Sequence, residues 1–309
     1  MYSDERQRLG RLEDNLKSRM QILGLIRSFF NEQGFLEVET PVFVPSVVPE
    51  RYIKPVECQN GYLSTSPELY MKRMLASGYT NIYQISRCFR DGEKGRHHNP
   101  EFSMLEWYRV GADYLQMIND TENLFYHISM KLFGKIQIRY LGQDIDLTPP
   151  WERLTVRDAF LNTVGWDPVN TDDEKRFDED LVLKVIPSFQ SHRPTVLLDY
   201  PAKMASLARL KKTNPEVAER AEFFISGLEM ANAYSELTNP LEQSARFAEE
   251  KKLIEAEQNR RVVTPEIFLE AVKYLPVCTG NALGIDRLVM FFCNTDQIQD
   301  VMPFTADTA

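Results

Sequence analysis

Apolar positions change period several times along the chain. Leu12, Leu16, Met20, Leu23, Ile26 and Phe30 recur at helical spacing, which predicts a helix over 12–33 stopped by Gly34. FLEVETP, residues 35–41, alternates and predicts a short strand closed by Pro41, whose nitrogen cannot donate to a ladder. Ser66, Pro67 and Glu68 predict a helix start, with the serine as cap, the proline in the first turn and the acid at the positive end. That helix, PELYMKRMLAS, ends at Gly78. NIYQISRCFR and EFSMLEWYRV predict antiparallel strands around a polar loop.

Helical spacing returns over 113–133. A looser stretch, 140–195, holds Pro149, Pro150 and the run TDDEKRFDED and reads as an insertion with its own helices. A helix is expected near 214–221, a strand over 222–230, and a charged helix after the Asn239–Pro240 turn. Ile285, Leu288, Val289 and Phe292 fall at i, i+3, i+4, i+7, so GNALGIDR reads as a glycine-bearing turn leading into a buried helix. With no repeat and no low-complexity linker, one domain over 1–309 is expected.

Residues two apart on a strand share a face. If the central hairpin pairs even with even, one face is largely apolar. The other carries Arg90, Glu106, Tyr108 and the ring of Phe102. Such a face is often an outer, solvated one, yet this one mixes aromatics, Met and Cys with few charges, which suits the floor of a polar site.

Composition narrows the setting. The chain has 309 residues, 43% hydrophobic and 26% charged, as soluble globular domains do. Its apolar runs fall short of a membrane span, and the N-terminal stretch lacks a secretory pattern. Cys58, Cys88, Cys278 and Cys293 stand far apart, without metal-ligand spacing, and read as reduced thiols of a cytoplasmic protein. The net charge of -9 argues against broad nucleic-acid binding. Against that background the loop FRDGEKGRHHNPEF is unusual: it gathers Arg90, Lys94, Arg96, His97 and His98. It is either a solvated turn or a clamp for an anion.

In EFFISGLEMANAYSEL, Glu222, Glu229 and Glu236 recur with Asn232 between them. The spacing of Glu229, Asn232 and Glu236 fits one helix face, whereas FFIS and Gly227 favour a strand that bends near Asn232. Carboxylates lined up at a phosphate site call for Mg2+ between them. Gly284 permits close backbone approach, and Arg287 lies at a helix N-terminus, which favours anions.

FLEVETP, FRDGEKGRHHNPEFSMLEWY and GNALGIDR resemble, in order, the three signature motifs of class II aminoacyl-tRNA synthetases. TSPELYMKR and GLEMANAYSEL are similar to the lysine branch. The resemblance runs from about residue 15 to the end. It implies an α+β fold, an antiparallel sheet flanked by helices in a single catalytic domain. Because the first motif begins by residue 35, the anticodon-reading barrel of lysyl-tRNA synthetases is expected to be missing. The pattern then resembles the truncated paralogues, the elongation factor P–(R)-β-lysine ligases. These activate (R)-β-lysine with ATP and Mg2+ and attach it to a lysine side chain of translation elongation factor P.

The resemblance implies the following roles. Arg90 holds the α-phosphate and Arg287 the γ-phosphate, the two catalytic positions. Asp91, Gly92, Glu93, His98 and Asn99 belong to the loop over ATP, Phe102 stacks on adenine, and Glu229, Met230 and Gly284 adjoin the nucleotide. Glu222 and Glu229 hold the metal. Ser66, Pro67 and Glu68 contact the amino acid with Asn232 and Ala282, while Tyr108 and Glu236 receive its terminal ammonium. A homodimer through the segment around Pro41 is implied, with no stable tRNA binding and no membrane.

Two departures stand out. The family places its motif acid two residues after the arginine, where this chain has Gly92; Glu93 follows one later. The lysyl pattern has glycine where Ala282 stands, and the added methyl suits a substrate whose amine has moved to the β-carbon. Two rival readings keep parts of the pattern: a synthetase-like fragment charging tRNA with lysine, and a non-catalytic regulatory protein.

Overall fold

The computed structural model describes residues 2–309, and its contacts divide the chain into two compact units. The first comprises 1–110, 238–276 and 283–309; the second comprises 111–237 and 277–282.

In the first unit the expected helix is present as Glu13–Glu32, preceded by a helix Tyr2–Arg11 that the apolar pattern did not mark. Ile22, Ile26, Phe29 and Phe30 form its buried stripe. Phe30 stacks on Tyr83 with ring centroids 4.7 Å apart and meets Trp107 at 5.4 Å. Burial of each such ring contributes on the order of 1.5–3 kcal/mol, so this helix is anchored to the hairpin it covers. Only Leu36–Glu37 of FLEVETP forms a strand, paired parallel to Asn81–Phe89.

The hairpin is Asn81–Phe89 with Glu101–Val110, and its register is even with even: Gln84 faces Glu106, Ser86 faces Met104, and Cys88 faces Phe102. Tyr83, Leu105 and Trp107 occupy the opposite, fully buried face. The helix after Ser66 runs Glu68–Ala76, but Pro67 occupies the N-cap, so the expected serine cap is not formed. The Ser66 carbonyl instead accepts from the Ser64 hydroxyl, 2.7 Å, in a turn ahead of the helix. The charged helix is Pro240–Gln258, entered through Asn239, whose side chain accepts from the amides of Leu241 and Glu242.

In the second unit, helix Tyr114–Phe133 is capped by Asp113 and closed by Gly134 in the left-handed region. Strands Glu152–Thr155, Thr195–Pro201, Asn214–Ile225 and Leu228–Ser235 lie side by side, the first pair parallel and the others antiparallel. The expected helix near 214–221 is therefore overturned, because those residues are the first part of the strand Asn214–Ile225. Its charges mimic a solvated helix face. In fact Glu219 and Arg220 are paired within the fold, the first to Arg209 and the second to Glu222, both at 2.7 Å.

The stretch 140–195 does carry helices, Val156–Val164 and Glu174–Asp180, whose Phe160 and Phe177 stack 4.8 Å apart in one cluster with Leu197, Tyr200 and Phe224. GNALGIDR also departs from expectation. Cys278–Gly284 is a strand rather than a turn, since its small and apolar residues are buried; the helix Ile285–Phe292 follows as expected.

Candidate active site

The loop 90–100 closes the hairpin in a defined shape. The Arg90 amide donates to the Pro100 carbonyl, 2.9 Å, and Gly95 and His98 exchange backbone hydrogen bonds further out. Gly92 adopts φ +79°, a left-handed geometry that glycine takes without steric cost. The turn at Gly92 brings Glu93 back to the hairpin, its carboxylate 3.6 Å from the Arg90 guanidinium. Glu93 thus stands beside the arginine despite its shifted place in the sequence. The Arg90 guanidinium lies over the Phe102 ring, 5.1 Å from the centroid.

Arg287 comes from the first turn of Ile285–Phe292 and meets the same loop. Its guanidinium donates to Nε2 of His98 at 2.6 Å, which requires that nitrogen to be unprotonated. Gly284 is the N-cap of this helix and has no side chain with which to cap it, so the helix end itself favours an anion. A methyl added at Gly284 would touch the Arg287 stem at 3.7–3.8 Å, ordinary contact. Packing inside the protein therefore does not demand glycine there. His97 is held below its usual pKa, chiefly by burial and then by Arg287, Arg96 and His98.

Two loop residues are committed elsewhere. Asp91 pairs with Lys54, which lowers its pKa, and its amide donates to the Lys54 carbonyl. The Asn99 amide donates to the Glu101 carbonyl at 2.6 Å and accepts from the Ala306 amide at 2.9 Å. Asn99 thus ties the loop to the C-terminal segment.

The polar face of the hairpin is buried. Tyr108 donates to Glu106 at 2.9 Å, with 3% and 2% of the two residues exposed. Cys88, beside Phe102 across the register, is a thiol pushed up to about 12, mainly by burial, so it is a poor nucleophile. Of the amino-acid positions in this unit, Pro67 is buried, Ser66 half-buried, and Glu68 accepts from the buried ammonium of Lys72 at 2.5 Å.

In the second unit the strand Leu228–Ser235 carries a β-bulge: Phe223 faces Ala231, and the next residue, Phe224, faces Glu229. Met230 is the extra residue. Two residues opposing one reset the alternation, which returns Asn232 to the face of Glu229. The ambiguous i, i+3, i+7 spacing is thus a bulged strand. Asn232 faces Glu222 across the ladder and donates to it at 3.2 Å. Glu222 also accepts from the Tyr200 hydroxyl at 2.5 Å and from Arg220 at 2.7 Å. Burial raises its pKa, Arg220 opposes the rise, and the carboxylate of Glu229 adds to it.

Glu222 and Glu229 are thus neighbouring acids on one face of the strand pair. Among the described residues no group of three or more His, Cys, Asp or Glu is placed to hold a metal ion. In donor chemistry the pair suits Mg2+ carried in by a phosphate ligand, which needs only one or two protein carboxylates. Glu236 is fully buried, and its amide donates to the Cys278 carbonyl. Ala282 is half-buried beside Asn281, whose amide donates to Thr121 at 2.7 Å.

Sequence reasoning gave no role to Glu106, although the strand alternation put it on the same face as Phe102 and Tyr108. Tyr200 and Arg220 were missed altogether. Arg220 precedes Glu222 by two, a same-face spacing on a strand, but that segment read as a helix; Tyr200 lies on a separate strand and leaves no local signal.

The family model for class II tRNA synthetases (D, K and N) matches residues 5–308. Lysine–tRNA ligase of Legionella pneumophila (strain Corby) is 35% identical over 323 residues, covering 94% of this chain and 65% of the relative. That of Thermoanaerobacter pseudethanolicus is 36% identical, covering 93% and 62%, and that of Thermotoga maritima 33%, covering 94% and 62%. The chain thus spans a little under two thirds of these relatives' length. With both arginines at one hairpin loop and a family match over nearly all its residues, this chain belongs to the class II tRNA synthetases of the aspartate, lysine and asparagine group.

Proposed function

We propose that the protein is an ATP-dependent ligase that activates (R)-β-lysine as an adenylate and transfers it to a lysine side chain of translation elongation factor P. The observation that carries the activation half is that one hairpin loop holds both arginines, nearly two hundred residues apart in sequence: Arg90 over the ring of Phe102 and Arg287 on Nε2 of His98. Phe102 supplies an adenine plate, Arg90 the contact to the α-phosphate, and Arg287 with its helix end the contact to the γ-phosphate. Gly284 leaves backbone open to the nucleoside.

In the first step a carboxylate oxygen of the amino acid attacks the α-phosphorus, and the bond to pyrophosphate breaks. The leaving group departs with the bonding electrons. Arg90 and Arg287 neutralise the charge that develops on the phosphoryl oxygens and the pyrophosphate. Mg2+ held by Glu222 and Glu229 supplies further charge neutralisation when bound. In the second step an ε-amine of elongation factor P attacks the acyl carbon, AMP leaves, and the amine proton passes to solvent. Neither step uses an enzymic nucleophile, consistent with the raised pKa of Cys88.

Glu236, a carboxylate with no exposed surface, takes the terminal ammonium. Ala282 supports the β-amino preference, since its methyl occupies volume a glycine would leave to an α-amine. Dimerisation through the segment around Pro41 belongs to the same reading: Leu36, Val42 and Phe43 are 51%, 42% and 52% exposed. A second reading, transfer of lysine to tRNA, is favoured by the relatives' names. Incubating the protein with ATP, labelled lysine or (R)-β-lysine, and either acceptor distinguishes the two. Label from (R)-β-lysine on elongation factor P is expected, and label on tRNA alone would replace this reading with the second.

A further inference from the structure

Arg19 lies on the helix Glu13–Glu32, in none of the three signature segments. One of its terminal nitrogens is 2.6 Å from Asp286 Oδ1 and the other donates to the Ser103 hydroxyl at 2.9 Å. The Ser103 amide donates to the second oxygen of Asp286 at 2.7 Å. The three groups form a buried cluster, one ion pair and two hydrogen bonds, with the Arg19 side chain 13% and that of Asp286 4% exposed. Ser103 directly follows Phe102, and Asp286 directly precedes Arg287.

A buried ion pair is a poor investment for stability alone, because desolvation offsets most of its Coulomb attraction. What it supplies is position. The hydrogen bond from the Ser103 amide to one carboxylate oxygen of Asp286, and the Arg19 charge against the other, tie the backbone beside the adenine plate to the backbone beside the γ-phosphate arginine. From these contacts we infer that Arg19 is a positioning residue for the nucleotide: without touching ATP, it sets the span between Phe102 and Arg287. The inference rests on the ATP reading above and deepens it.

The span matters only for a ligand that engages both ends. ATP does so, whereas AMP lacks the γ-phosphate and needs only the plate and Arg90. The test is isothermal titration of the full chain with Mg2+-ATP and with AMP, comparing Arg19→Met, Arg19→Lys and Asp286→Asn. Misplacement by about 1 Å can cost on the order of 10²-fold. Arg19→Met is therefore expected to weaken ATP at least about tenfold and AMP less than about twofold, with partial recovery in Arg19→Lys. Asp286→Asn keeps an acceptor for the Ser103 amide and carries the test if Arg19→Met does not fold. Equal weakening of ATP and AMP, or unchanged ATP affinity in a cooperatively folded variant, overturns the inference while leaving the ATP reading intact. Failure of the wild-type chain to bind ATP overturns both.

Discussion

Replacing Phe102 with leucine isolates the adenine plate. The ring is only half-buried, at the loop end of its strand, so leucine keeps the local packing and the fold should survive. Two interactions disappear. Stacking of a base on an aromatic ring is worth about 1–3 kcal/mol, and a cation over a ring face about 0.5–1 kcal/mol at a solvent-accessible site. The second applies because the Arg90 guanidinium rests 5.1 Å from the Phe102 centroid. Because the Arg90 contact is already made without ligand, only the stacking counts toward binding: about 1–3 kcal/mol, roughly five- to 150-fold in ATP binding at 1.4 kcal/mol per decade. The assay is amino-acid-dependent ATP–pyrophosphate exchange, with KM measured for each substrate. KM for ATP should rise by that factor, KM for the amino acid should stay within about twofold, and Phe102→Tyr should be close to wild type. A threefold or smaller change in the ATP constant would refute the reasoning, as would equal effects on both substrates.

Three further perturbations probe other parts of the account. Tyr108→Phe removes a donor from the buried Glu106 carboxylate and should cost about 1.5–3 kcal/mol in denaturant unfolding; an unchanged midpoint would show that another group satisfies Glu106. Cys88, raised from 9.0 to about 12, keeps its proton in the native state where the unfolded chain releases it. Its contribution to stability is therefore complete below pH 9 and lost as pH rises toward 12. Alkylation of the native protein at pH 8 followed by mass spectrometry should modify exposed Cys58 and spare Cys88, and rapid labelling of Cys88 would contradict its burial. Ala282→Gly should shift the ratio of kcat/KM for α-lysine over (R)-β-lysine upward by about 10–200-fold, the range for one methyl group in a pocket. An unchanged ratio would remove Ala282 from the specificity argument.

The hairpin was the most legible part of the fold because its two strands alternate cleanly and one face is buried. The even-with-even register was one of the pairings the alternation allowed, and it puts Arg90, Phe102 and Tyr108 on one face; the structure has that register. The segment 214–236 was harder for two physical reasons. Charges on Asn214–Ile225 look solvated in sequence but are paired inside the fold, Glu219 with Arg209 ten residues away and Arg220 with Glu222 on the same strand. The bulge at Met230 changes the phase of the alternation, so a strand imitated a helix face. The Arg19–Asp286–Ser103 cluster joins residues up to 267 positions apart, and nothing local to any of them announces it. Asn99 shows the converse: a motif position whose side chain the fold uses to hold its own C-terminal segment.

Mg2+-dependent ATP–pyrophosphate exchange, run with α-lysine, (R)-β-lysine and (S)-β-lysine in parallel, tests the central claim most directly. Exchange driven by (R)-β-lysine, abolished by Arg90→Ala and Arg287→Ala in folded variants, is the expected result. A folded wild-type chain that shows no exchange with any of the three would mean that the two arginines do not serve amino-acid activation.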